Sequence, residues 1–187
     1  MTISNSLENH FLVAMPNMQD PRFADSISLV CQHNDEGAIA LIINQPISQS
    51  LQEVFLQMQL PIDKLTTPEQ LILYGGPVQP EAGFILHSIK GQWEATLPIS
   101  DFLFLTSSAD ILEAISNGEG PEDYLFLLGY AGWAAGQLEM ELEENAWFHS
   151  PADHPVIFDT PPTELAKKVV EQSGIDLSRI SHRVGHA

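Results

Sequence analysis

Apolar residues fall in short blocks along this chain, and most blocks have the length of a strand. His10-Phe-Leu-Val-Ala-Met15 is an apolar run stopped by Pro16, which predicts a strand. Asn17 to Asp25 reads as a loop, with Asp20-Pro21 marking a turn. Ser26 to His33 alternates polar and apolar over its first half, as a half-buried strand does, and Ala38 to Ile43 is apolar throughout until Asn44-Gln45-Pro46 closes it. Only Asn34-Asp-Glu-Gly37 separates these two runs, so they predict a hairpin at the centre of a sheet. Leu71 to Tyr74, Gly83 to Ile89, Phe102 to Thr106 and Tyr124 to Leu128 are further strands, with short ones at Ala146 to Phe148 and Val156 to Phe158.

The longer spacings are fewer. Ser50-Leu-Gln-Glu53 has the form of a capping box and opens a helix with Leu51, Val54, Phe55 and Met58 on its apolar side. Ser108 is expected to cap a second helix, with Ile111, Leu112 and Ile115 on one face and Asn117-Gly118 at its end. Gln137 to Glu144 reads as a short helix, and Thr163 to Ser173 as a helix stopped by Gly174. Strands and helices are interspersed without strict alternation. That favours an α+β fold with a mixed, mainly antiparallel sheet over a doubly wound parallel one. No repeat or flexible linker divides the 187 residues, so a single domain is expected, with a loose tail from about residue 181.

Charge narrows the function. Asp and Glu number 25 against 7 Lys and Arg, a formal net charge of −18, with a sequence pI near 4.4. Affinity for phosphate backbones comes mainly from Lys and Arg displacing counterions, so direct nucleic-acid binding is disfavoured, and so is an anionic membrane surface. Gly91 to Ala166 contains no Lys or Arg and fourteen acidic residues. This stretch reads either as a solvated acidic face or as a surface for a basic partner or a divalent cation. The lone Cys31 excludes an intramolecular disulfide and fits a reducing compartment. Met1 to His10 has no basic region or apolar run resembling a signal peptide. Apolar windows fall short of the ~20 residues of a membrane helix. A cytoplasmic protein is expected.

Candidate chemistry is sparse. There is no Gly-x-Ser-x-Gly elbow. Gly129-Tyr-Ala-Gly-Trp-Ala-Ala-Gly-Gln-Leu-Glu139 has the order strand, glycine-rich loop, helix, but matches neither the dinucleotide fingerprint nor a P-loop. It reads either as an anion cradle or as a tight loop folding Trp133 onto the sheet. Cys31 and His33, two apart in a strand, form a possible nucleophile and base, or a small core residue beside a structural histidine. His87 ends a strand, as a base, a ligand or a hydrogen-bonded structural group. His182 and His186 have an H-x₃-H spacing suited to zinc, without a third ligand nearby. No cofactor and no metal site is expected.

Several separated motifs resemble the AlgH/YqgE family. They are Phe11-Leu-Val-Ala-Met-Pro16 with Asp20-Pro21 and Phe23, Gly37-Ala-Ile-Ala-Leu-Ile-Ile-Asn44-Gln-Pro46, Gly75-Gly-Pro-Val78 with Gly83-Phe-Ile-Leu-His87, Gly129-Tyr-Ala-Gly-Trp133 with Gly136-Gln-Leu-Glu139, and Asn145-Ala-Trp147. The resemblance runs from about Phe11 to Phe158. Gln45 and Ala134 depart from it, standing where Arg and Gly are usual. It implies a bacterial cytoplasmic protein with an α+β fold whose bent sheet folds toward a pseudo-barrel. The family's biochemical function is unassigned, and a transcriptional-regulator label attaches to some members.

No catalytic constellation is complete, and glycine-lined turns converge in the motifs. The expectation is therefore a non-catalytic binding or regulatory protein acting through a small molecule or a protein partner, with Asn44, Gly76, His87, Trp133 and Gln137 around one depression. Two alternatives stand beside it. One is an enzyme using His87 with a carboxylate such as Glu139 as acid and base. The other is an interaction protein whose acidic stretch docks a basic partner.

Overall fold

The computed structural model describes residues 5–88, 91 and 93–177. The chain divides into two compact units, Met1–Asn44 with Ala131–Ala187, and Gln45–Tyr130. Among the described residues the elements run β1 (His10–Ala14), β2 (Ile27–Asn34), β3 (Gly37–Ile42), β4 (Pro46–Ser50), α1 (Leu51–Gln57), β5 (Leu71–Tyr74), β6 (Val78–His87), β7 (Thr96–Ser100) and β8 (Leu103–Thr106). They continue with α2 (Asp110–Ser116), β9 (Tyr124–Ala134), α3 (Gln137–Glu143), β10 (Trp147–Pro151), α4 (His154–Asp159) and α5 (Pro162–Ser173). The fold is α+β with mainly antiparallel pairing, as the element pattern predicts.

In the first unit the strand order is β10-β1-β2-β3, followed by the last residues of β9, with every pair antiparallel. The expected hairpin lies in its middle, and its register shifts by one residue between Val30 and Gln32. The core gathers Leu12, Val30, Ala40, Ala131, Trp133, Leu138 and Trp147. In the second unit the order is β4-β5-β9-β6-β8-β7, antiparallel except where β5 runs parallel to β9. Its core is built by Leu51, Phe55, Ile72, Ile85, Ile111, Ile115 and Phe126.

The capping box forms as expected. The Glu53 amide donates to Ser50 Oγ, and the Ser50 amide donates to Glu53 Oε2 at 2.7 Å. Helix α5 ends at Gly174 in the left-handed conformation its position predicts.

Four expectations are corrected. The glycine-rich stretch after Leu128 is not a loop, because β9 continues through it to Ala134 and pairs Ala131 to Ala134 with Gly37 to Ala40. Gly129 makes this possible. Its φ of +75° and the absence of a side chain let the strand bend where a Cβ would sit 2.3 Å from the Gly76 carbonyl oxygen. Val156 to Phe158 is helical, within α4, since Pro155 in the first turn has its φ preset for a helix and three apolar residues carry no period. Strands β4 and β7 are absent from the sequence pattern because both carry proline, at Pro46 and Pro98, and they form at sheet edges, where a missing N–H is tolerated. Ser108 does not cap α2. Its hydroxyl donates to Asp110 Oδ1 and accepts the Ala95 amide, tying the β8–α2 connection to the residue before β7.

Candidate functional site

The first unit holds three of the five residues expected to bind. Asn44 follows β3 and braces the connection into β2, accepting the Ile27 amide at 2.9 Å and donating to the Asp25 carbonyl at 3.0 Å. Trp133, near the end of β9, and Gln137, the first residue of α3, are brought together by a residue the sequence did not single out, Glu141. The Trp133 and Trp147 indole N–H groups both donate to Glu141 Oε2 at 2.8 Å, and the Gln137 amide donates to Oε1 at 3.0 Å. Gln137 Oε1 in turn accepts the Ala134 amide at 3.0 Å. Both indoles are buried, and Phe23 packs on both rings. One carboxylate thus satisfies two buried donors. The signal available beforehand was the four-residue spacing of Gln137 and Glu141, which places them on one helix face.

Glu139 faces another partner, accepting from His33 Nε2 at 2.7 Å. The Leu7 amide donates to His33 Nδ1 at 3.0 Å, so that nitrogen bears the lone pair and the proton sits on Nε2. Burial pushes the Glu139 carboxyl up, but its own backbone N–H and the His33 ring outweigh this and hold it below the usual carboxylate range. Cys31 gains no base. Burial pushes its thiol up to about 12, and the thiol donates to the Leu29 carbonyl, so almost none of the nucleophilic thiolate exists at neutral pH.

The second unit holds Gly76 and His87. Gly76 lies in the turn after β5, its carbonyl against Gly129. His87, at the end of β6, donates from Nδ1 to the Ser88 carbonyl at 2.9 Å, so Nε2 accepts the Thr106 hydroxyl at 2.7 Å. Thr96 Oγ1 lies 2.8 Å from the same hydroxyl. Burial lowers the His87 pKa, against a smaller opposing effect of the Ser88 carbonyl, and keeps the ring neutral near pH 7. The His87 and Thr106 pair has the form of a base and a nucleophile. Thr106 is 0% exposed, however, and its hydroxyl is held between His87 Nε2 and Thr96 Oγ1. His87 and Glu139, the expected acid and base, are thus bonded to Thr106 and His33 respectively. The positions His182 and His186 lie outside the described residues. Among the described residues no group of three or more metal-ligating side chains is present, and no helix is long and apolar enough to cross a membrane.

A groove in the second unit has the dimensions of a ligand site. Its volume is about 340 Å³. Val54 and Met58 line it from α1 and its C-cap, Leu112 from α2, and Ile85, Phe126 and Leu128 from β6 and β9. Gln49, Gln57, Thr106, Ser108 and Glu81 add polar atoms, with the Gln49 and Gln57 amides paired at 3.1 Å. Apolar walls with a few placed polar groups suit noncovalent capture of a small molecule. None of the five expected residues is among those lining it; His87 reaches it only through Thr106.

A family model described as AlgH-like matches residues 11–178. A UPF0301 protein of Azoarcus sp. (strain BH72) is 45% identical over 186 residues, covering 100% of this chain and 99% of the relative. A UPF0301 protein of Thioalkalivibrio sulfidiphilus (strain HL-EbGR7) is 44% identical over 187 residues, 100% of both chains. Among solved structures, the solution structure of the AlgH protein from Pseudomonas aeruginosa is similar with a TM-score of 0.80 and 42% identity, covering 100% of this chain and 99% of that one. A crystal structure of a Corynebacterium diphtheriae protein has a TM-score of 0.75 at 21% identity, over 97% of this chain and 94% of that one, a likeness of fold alone.

Proposed function

This chain belongs to the AlgH-like family, and from that premise we propose that it is a non-catalytic binding protein of the bacterial cytoplasm that acts by taking up a small molecule. The observation that carries this reading is the groove of the second unit, about 340 Å³ with an apolar floor, within the range of small-molecule sites. The polar groups that read as a catalytic or ligand set along the chain support it from the other side. Asn44, His87, Trp133 and Gln137 all have hydrogen-bond partners inside the protein, which is how bracing groups behave. Any regulatory output passes through the liganded protein rather than through DNA. A formal charge of −18 opposes contact with a phosphate backbone, so purified protein is expected to give no sequence-specific gel shift at physiological salt.

Native mass spectrometry of protein isolated from its own host tests the reading. The expected result is a small-molecule adduct that is lost on denaturation and absent from Met58→Asp, which places a charge at an exposed position of the groove. Wild-type protein that carries no adduct, and that gains none after incubation with its host's small-molecule extract, would sink the proposal.

A further inference from the structure

Gly83 sits well inside β6, where glycine costs backbone entropy and contributes no side chain to the sheet. The glycines beside it in the fold have a reason to be glycine. A Cβ on Gly75 would lie 2.3 Å from the Gly129 carbonyl oxygen, and one on Gly129 2.3 Å from that of Gly76. Gly83 has no such neighbour. A Cβ there would meet only the edge of the Phe126 ring, at 3.4 and 3.5 Å, and the backbone is not left-handed. The β6 register shifts between Val78 and Gly83, but the left-handed residue of that segment is Gln79, with a φ of 46°. Gly83 and Phe126 both line the groove. What the glycine leaves is therefore exposed backbone in the groove wall at the edge of the Phe126 ring, an arrangement found where a ligand approaches a strand closely.

Charge restricts what fits the groove. Among the described lining residues Glu81 is the only charged one, and Asp110 holds the hydroxyl of the lining Ser108. Lys64, the one described cation of the second unit, lies against Gly118 and does not line the groove. Among the described residues that line the groove, an anion would meet the Glu81 carboxylate and no counter-charge.

Building on the reading of this groove as the ligand site, we propose that it selects a small molecule bearing a flat ring, neutral or positively charged, with the ring seated over Gly83 against Phe126. Its polar end meets the Gln49 and Gln57 amides or Glu81. The amides serve a neutral donor or acceptor, and Glu81 serves an ammonium.

Three probes with one ring and three charges test this: tryptamine, indole and indole-3-acetate, followed through the amide resonances of Gly83, Thr106 and Ser108 in the full-length protein, with hexan-1-ol as a neutral aliphatic comparison. The expected result is saturable shifts at these amides from tryptamine and indole, with indole-3-acetate at least tenfold weaker. Glu81→Gln should narrow that gap severalfold. Gly83→Val should weaken both ring probes at least tenfold, and Gly83→Ala, the gentler change if the valine variant does not fold, at least threefold. Indole-3-acetate binding as tightly as tryptamine overturns the charge selection. Ring binding unchanged in the Gly83 variants overturns the seat. Shifts from hexan-1-ol without any from the indoles overturn the ring selection while the groove stands as a site. Silence from all four probes at millimolar concentration removes the groove reading as well.

Discussion

The two units carry the same formal charge and use their polar residues in opposite ways. Met1–Asn44 with Ala131–Ala187 has 5 Lys and Arg against 14 Asp and Glu, and Gln45–Tyr130 has 2 against 11, so each comes to −9. In the first unit two of the three acidic residues of α3 turn toward donors in the fold, Glu139 to His33 and Glu141 to two indoles and an amide. In the second unit the carboxylates stay on the outside while apolar side chains line an open groove. Charge count says nothing about this division. A carboxylate that answers buried N–H groups stabilises the fold, because the same donors left unpaired would each carry a desolvation penalty. In the groove, exposed Met58 and half-buried Val54 and Leu128 leave apolar surface over the buried Ile85 and Phe126. The resemblance of Trp133 and Gln137 to a binding site comes from the first kind of use, and the proposed binding rests on the second.

The sharpest way to break this comparison is Glu141→Ala. It leaves the Trp133 and Trp147 N–H groups and the Gln137 amide without their acceptor, and is expected to cost about 3 kcal/mol in chemical denaturation, with Glu141→Gln recovering part of the loss. The groove probes should bind the folded variant as they bind wild type; loss of less than ~0.5 kcal/mol would show that the carboxylate is not the anchor. Next in size is Thr106→Val, which keeps the shape and removes the donor to His87 Nε2. A loss of about 2 kcal/mol is expected, restored largely by Thr106→Ser.

Gln137→Ala is smaller. Its bonds to Ala134 and Glu141 are partly exposed, so roughly 1 kcal/mol is expected, with groove binding unchanged. Ligand loss at full stability would instead return Gln137 to the binding site. The smallest effect is on pH dependence. The folded pKa of His87 lies below its ordinary value of 6.5, mainly through burial. Between the two values the unfolded chain holds a proton that the folded one does not, so stability is full above about pH 6.5 and declines as the pH falls through the folded value. His149, lowered by burial and by His10, adds in the same direction. Thermal melts from pH 7.5 to 5 should show this decline, and His87→Gln should flatten part of it; an unchanged slope in that variant would remove His87 as a source.

Much of the fold was readable where neighbours in sequence decide it. The Ser50 to Glu53 capping box, the Asn34 to Gly37 turn and the Gly174 stop each depend on a few consecutive residues, and each forms. The elements that were misread depend on distant partners or on proline. β9 runs past Gly129 because Gly37 to Ala40 receive it, and β4 and β7 exist because β5 and β8 lie beside them. The same division applies to the candidate site. Trp133 and Gln137 could be picked out as neighbours, since only Ala134 and the Ala135-Gly136 turn separate them, yet Glu141 gave no sign of serving two indoles from different strands.

By itself, then, the sequence determined the α+β class, the local helix ends and the acidic balance that opposes phosphate contacts, because local backbone preferences and net charge need no tertiary contact to be expressed. Only the tertiary structure decided what the polar residues are for. Whether a carboxylate is a ligand group or an anchor depends on the donors that burial brings to it, as at Glu141 and Glu139. The groove is a product of tertiary structure too: Met58, Gly83, Leu112 and Phe126 are far apart in the chain, and they share one surface only because α1, α2, β6 and β9 pack around it.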